Sequence, residues 1–175
     1  MFSKFFVKIF NCKSSIVIFG SKPRDISTDI KEGRKAPYRI DRNGTPIGWA
    51  PASSLRVKTG KIITVTGSAG GREHEKRKDM GRIVLDNSDY CIFTMDDPRD
   101  EDVNNIIDEL VSDTNKTNYE RIINREEAIK KALDMAKDND IILIAGKGDD
   151  NYMAIGNEYL PYSDREVINK YFGIN

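Results

Sequence analysis

Between residues 62 and 165, three short apolar runs rich in β-branched residues each lead directly into a turn of glycines and charges: IITVTGSAGGREHEKRKDMG, YCIFTMDDPRDED and IILIAGKGDDNYM. A strand that ends in such a turn and then feeds a helix is the loop geometry in which α/β proteins place their ligands, at the carboxyl edge of a parallel sheet. Three such turns in succession restrict this stretch to an α/β fold. Arg72, Arg99 and Asp150 stand at or beside them. Two guanidinium groups and one acid suggest a site that holds a zwitterion.

After Gly60-Lys61 the pattern alternates strand and helix. It predicts strands at 62–66, 90–94, 120–123 and 140–145, and helices at about 74–86, 101–113, 125–137 and 164–172. Helix starts are marked. Asn124 precedes Glu127 and Ser163 precedes Glu166, each a capping-box arrangement. Asp100, Glu101 and Asp102 put negative charge where the helix dipole of 101–113 favours it. Val103, Ile106, Ile107 and Leu110 form one apolar stripe, and Ala128, Ile129, Ala132, Leu133 and Ala136 another. Residues 152–160, with Gly156-Asn157 as the turn, read as a small hairpin.

Before residue 60 the pattern is all-β, so the chain divides into a β-rich segment at 1–60 and an α/β domain at 61–175. Asn43-Gly44 is a hairpin signal because both residues tolerate positive φ. Residues 14–58 resemble bacterial SH3-like modules through Asn43, Gly44, Gly48, Trp49, Ser54 and Leu55. A bare core role for Trp49 in a small β unit is the simpler reading, and such a fold does not by itself license wall binding. At the N-terminus Phe2, Phe5, Phe6, Ile9 and Phe10 would share one helical face with Lys4 and Lys8 opposite, which suits a membrane interface or packing on the rest of the chain; a strand is the third reading. No run approaches the ~20 apolar residues that span a bilayer. No small-residue cleavage site follows to mark a secretory signal.

The 28 basic and 28 acidic residues balance, which argues against bulk binding to nucleic acid. Cys12 and Cys91 fit no metal spacing; Cys91, inside an apolar run, reads as a buried free thiol, and a reducing cytoplasm is the expected location. His74, the one histidine, lies in a charged stretch and reads as solvated.

From residue 61 onward the chain resembles the C-terminal domain of Mur ligases, most closely the branch that adds the third amino acid of the peptidoglycan stem peptide. TGSAGGREHEKRKDMG, MDDPRDED, NREEAIKKA, LIAGKGDDNYM and PYSDREV carry the resemblance, in the family's order and at its spacing. It implies a Rossmann-like, mostly parallel sheet with flanking helices. It also implies ATP- and Mg2+-dependent amide formation, in which an amino acid's amine attacks an acyl phosphate made on a UDP-linked muramoyl peptide. Carried over by position, Arg72 contacts the incoming amino acid's carboxylate, Asp97 and Arg99 select its side chain, and Gly146 and Asp150 hold the distal polar group of a diamino acid. Asn124 and Arg125 belong to a turn that faces nucleotide. The chemistry suits these roles: a guanidinium grips a carboxylate through two parallel hydrogen bonds, and Pro98 stiffens its turn. Taken singly, Arg72 and Lys76 read as a solvated face, and Asp96 and Asp97 as a capping turn.

The sequence also departs from the family. Asp150 stands where glutamate is usual, Asp149 where histidine is frequent, and Asn124 where an aspartate usually precedes Arg125. No G-x-x-x-x-G-K-[ST] phosphate loop occurs in the 175 residues, so the main binding elements for ATP and Mg2+ are missing and the chain alone is expected to be inactive as a ligase. The family's opening strand, Asp-Tyr-Ala-His-Thr-Pro, is missing too, and residues 15–19 (SIVIF) are assigned its place in the sheet. Three functional readings follow: a ligase domain, a stand-alone module that binds an amino acid or wall precursor, and the missing partner of a split ligase.

Overall fold

Five strands lie side by side and all run the same way. In this computed structural model the described residues are 60–173, apart from 73, 139 and 149, together with three earlier strands. Those three are β1 (Ser15–Gly20), β2 (Ala36–Ile40) and β3 (Pro46–Ala50). The rest are β4 (Ile62–Thr66), β5 (Tyr90–Phe93), β6 (Tyr119–Arg121), β7 (Ile141–Gly146), β8 (Tyr152–Ile155) and β9 (Glu158–Pro161). The sheet order is β1-β7-β4-β5-β6. β1 takes the edge place expected for SIVIF, in register with β7 from Ser15↔Ile141 to Gly20↔Gly146.

Helices α1 (His74–Asn87), α2 (Val103–Val111), α3 (Arg125–Met135) and α4 (Asp164–Tyr171) cover both faces. Alternation along the strands divides the core. Ile63, Val65, Ile92, Ile142 and Ile144 meet Ala128, Ile129, Ala132 and Leu133 of α3 and Val167 and Ile168 of α4. Cys91 and Phe93 point the other way, onto Leu85 of α1 and Ile106, Ile107 and Leu110 of α2. Each of these Ile and Leu side chains is worth about 1.5–3 kcal/mol when fully buried. Cys91 is a buried free thiol, and burial pushes its pKa far up.

One cap acts as the sequence suggests: Asn124 accepts from Glu127 N at 3.1 Å. Asp102, expected inside its helix, instead accepts from Asn104 N at 2.8 Å. Asp102 is therefore the cap of α2, and the helix begins at Val103, two residues later than expected. Ser163 makes no side-chain cap bond; the start of α4 is fixed instead by Asp164, buried against Arg125. α3 stops at Met135, with Ala136 already extended as its C-cap.

β8 and β9 form the expected hairpin, Tyr152↔Pro161 to Ile155↔Glu158. β2 and β3 pair antiparallel on either side of Asn43-Gly44, with Pro37 opposite Trp49. The remainder of the SH3-like segment, Cys12 and the N-terminal apolar face lie outside the described residues. Among the described residues, no helix is long and apolar enough to cross a membrane.

Helices α1 and α2 approach very closely at Gly81. A Cβ there would lie 1.7 Å from the carbonyl oxygen of Leu110, so only glycine permits this crossing.

Candidate functional site at the carboxyl edge

β7, β4 and β5 are neighbours, so the turns that follow them rise together at one edge of the sheet. The turns are in contact. Gly70 N donates to Asp97 O at 2.9 Å, and Arg99 Nη1 donates to Gly70 O at 2.7 Å.

Behind the first turn stands Arg77, whose side chain is fully buried. Its Nη1 donates to Glu101 Oε2 at 2.7 Å and Glu109 Oε2 at 2.9 Å, while Nη2 donates to Ala69 O at 2.8 Å. Glu101 also accepts from Gly71 N, so one ion pair clamps the first turn to the start of α2. His74 is half-exposed beside the same acids, its Nδ1 3.1 Å from Glu109 Oε2. The hydrogen bond from Arg77 holds the Glu101 carboxyl at a pKa of about 2, against an ordinary value of 4.5. A carboxylate depressed on folding adds stability above its unfolded pKa and loses it as pH falls through the folded one. Glu101→Gln is therefore expected to flatten the loss of stability between pH 4.5 and about 2. Urea midpoints across that window would show it, and parallel profiles for the two proteins would refute it.

The second turn holds two non-glycine residues in the left-handed region, Asp97 at φ 47° and Arg99 at φ 52°. That conformation costs roughly 1–2 kcal/mol per residue, so the surroundings must hold it. Asp97 Oδ1 accepts from Lys147 Nζ at 2.7 Å and from Ala154 N at 2.9 Å. Arg99 N donates to Ala154 O at 3.1 Å, and Gly156 N donates to Arg99 O at 2.9 Å. The hairpin thus braces the turn from the side.

The third turn begins at Gly146, φ 116°, where a Cβ would sit 2.1 Å from Asp96 Oδ2. Glycine satisfies both the backbone and the close approach of that acid. Asp96 is buried there, and burial pushes its pKa up against the opposing pull of Arg125 and Lys147. Lys147 is fully buried, with Nζ 3.5 Å from Asp150 Oδ2 and 4.6 Å from the centre of the Tyr152 ring.

Arg125 is buried as well. Nε and Nη2 donate to the two oxygens of Asp164 at 2.8 and 2.9 Å, and Nη2 also reaches Ala145 O at 2.8 Å. Tyr162 Oη donates to Asp164 Oδ1 at 3.0 Å; burial, with the Asp164 charge, pushes the phenol's pKa up and keeps it protonated.

The structure therefore gathers Asp97, Arg99, Gly146 and, through Lys147, Asp150 into one cluster. Arg72 is exposed two residues beyond Gly70 and makes no ion pair among the described residues. Of the two residues assigned to a nucleotide, Asn124 is exposed, beside a groove of about 180 Å³, whereas the guanidinium of Arg125 faces Asp164 inside the protein. Sequence reasoning missed Arg77, Glu101, Glu109, Lys147 and Asp164 as partners. Their pairings span 24 to 50 residues and leave no local spacing to read.

Residues 50–148 match the family described as Mur ligase, glutamate ligase domain. A UDP-N-acetylmuramoyl-L-alanyl-D-glutamate--2,6-diaminopimelate ligase of Rickettsia conorii is 42% identical over 157 residues, covering 83% of this chain and 33% of that protein. A ligase of the same name from Clostridium tetani is 44% identical over 109 residues, covering 62% and 22%. The chain thus spans about a third or less of the length of these relatives. A solved structure of a ligase with that name superposes with a TM-score of 0.70 over 94% of this chain and 30% of the other, at 23% identity, a likeness of fold.

Proposed function

The chain belongs to the Mur ligase family, and from that membership we propose that its carboxyl-edge site binds the amino acid that such a ligase joins to a UDP-linked muramoyl peptide. The observation that carries this reading is the contact among the three turns: Arg99 reaches Gly70 O of the first, and Lys147 of the third binds Asp97 and lies 3.5 Å from Asp150. Arg72 takes the α-carboxylate, because it is exposed and pairs with no acid among the described residues. Arg99 and Asp150 receive the far end of a diamino acid. Asp97 contributes indirectly, since its carboxylate already accepts from Lys147 and Ala154 N and so shapes the turn that presents Arg99.

A nucleotide and its Mg2+ do not fit these residues alone. The sequence has no phosphate loop, and no group of three metal-ligating side chains occurs among the described residues. Asn124 is exposed beside a groove, which supports reading it as a residue that faces a nucleotide held by another domain.

Calorimetry with meso-diaminopimelate, L-lysine and L-ornithine tests the binding. At least one is expected to bind. Arg72→Ala is expected to weaken it about tenfold or more, the loss of hydrogen bonds to a charged group. The melting temperature of the unliganded variant should not change, since Arg72 is exposed and makes no ion pair among the described residues. Absence of heat with all three amino acids at millimolar concentration would count against the reading.

A further inference from the structure

We infer that the β8–β9 hairpin holds the second turn in its site-forming shape, and that Gly156 at the hairpin's tip fixes where Arg99 is presented. Gly156 acts through Arg99 and is a positioning residue. The inference deepens the amino-acid-binding reading above, and the ligand arm of its test rests on that reading.

The second turn cannot keep its shape alone. Asp97 and Arg99 lie in the left-handed region, at φ 47° and 52°, on either side of Pro98. The hairpin takes up their backbone groups. Asp97 N donates to Met153 Sδ at 3.2 Å. Arg99 is bound on both sides, its N–H donating to Ala154 O at 3.1 Å and its carbonyl accepting from Gly156 N at 2.9 Å. Arg99 and Ile155 form a parallel bridge, so Arg99 lies against β8 as a one-residue strand. The guanidinium depends on this placement, because Arg99 Nη1 also reaches Gly70 O of the first turn at 2.7 Å. A hydrogen bond of that length is lost when the backbone carrying it shifts by about 1 Å.

Conformation, not lack of room, makes the tip a glycine. Gly156 has φ 57°, and beyond its chain neighbours a Cβ there would meet nothing nearer than Asp100 Oδ1 at 3.8 Å. The position therefore accepts asparagine, which tolerates positive φ, and strains under a β-branched residue. That difference separates positioning from general support.

Amide hydrogen exchange of Arg99, read by NMR on the whole chain, is compared in the parent, Gly156→Val and Gly156→Asn, with Ile92 and Ile144 of the buried strands as references. Affinity is measured on the same proteins for whichever of meso-diaminopimelate, L-lysine and L-ornithine the parent binds. Gly156→Val is expected to speed exchange at Arg99 about tenfold or more relative to the references, and to weaken binding about tenfold. Gly156→Asn should leave both within about twofold of the parent.

Unchanged exchange at Arg99 in a folded Gly156→Val, or a rise in step with Ile92 and Ile144, would overturn the inference. So would equal damage from Gly156→Asn. If Gly156→Val fails to fold, Gly156→Ala, a milder strain at the same φ, is set against Gly156→Asn by the same measurements. Faster exchange with affinity intact overturns the inference and leaves the binding reading standing. A parent that binds none of the three amino acids overturns the binding reading, and the exchange arm then decides whether Gly156 holds the turn.

Discussion

Asp164→Asn is expected to destabilise the fold by about 3–5 kcal/mol, the cost of stranding one partner of a buried ion pair. Both side chains are fully buried, and Asp164 receives two hydrogen bonds from Arg125 and a third from Tyr162. An amide would leave the Arg125 guanidinium charged, out of water, and with a donor-bearing group in place of one acceptor oxygen. Removing both charges should be far milder. Arg125→Met with Asp164→Leu strands nothing, and such replacements by packed apolar residues are often neutral. Urea unfolding of the three proteins would show the contrast. A loss below about 1 kcal/mol for Asp164→Asn would mean that the pair is hydrated in solution. The effect should reach the site, because Arg125 also donates to Ala145 O and Met95 O, at the ends of the strands that carry the second and third turns.

Gly81→Ala is the second large effect, and its sign is the opposite of what helix propensity predicts. In an exposed helix interior the change would gain up to about 1 kcal/mol. Here the new methyl would stand 1.7 Å from the Leu110 carbonyl, a backbone atom that moves only if the two helices separate. Overpacking of this kind typically costs about 1–3 kcal/mol. Separation would also stretch the Arg77–Glu109 pair, which joins the same two helices at 2.9 Å. Thermal denaturation decides the sign, and a stabilised variant would show that the helices lie farther apart in solution.

The inner sheet was legible in the sequence because β4, β5 and β7 are short runs rich in apolar and β-branched residues, whereas the edge strand β6 is Tyr-Glu-Arg and begins a residue earlier than expected. Cys91, Ile92 and Phe93 are all buried, on alternating faces. The helices were legible from their stripes, with boundaries displaced where local chemistry has two solutions. Glu101 looks like a first-turn acid, but it lies outside α2 because Arg77 and Gly71 claim it. Ser163 looks like a cap, but the neighbouring Asp164 fixes that helix start through a residue 39 positions away.

The candidate site was legible as three turns and far less so as side chains. Arg72 and Arg125 look equally available in the sequence, yet one is exposed and the other has no exposure to speak of. Burial of an arginine depends on an acid delivered by another element, and that acid cannot be identified from spacing. The same holds for Lys147, which reads as a loop lysine until Asp97 arrives from 50 residues away.

The position of β1 has a consequence for dissecting the chain. β7 lies inside the sheet only because Ser15–Gly20 runs along its outer flank. A shortened version starting at residue 61 would leave Ile141–Gly146 with a bare row of amide and carbonyl groups along an apolar segment, and such rims recruit other chains into stacked assemblies. Whoever trims this protein to its α/β portion should expect precipitation before any loss of the fold itself.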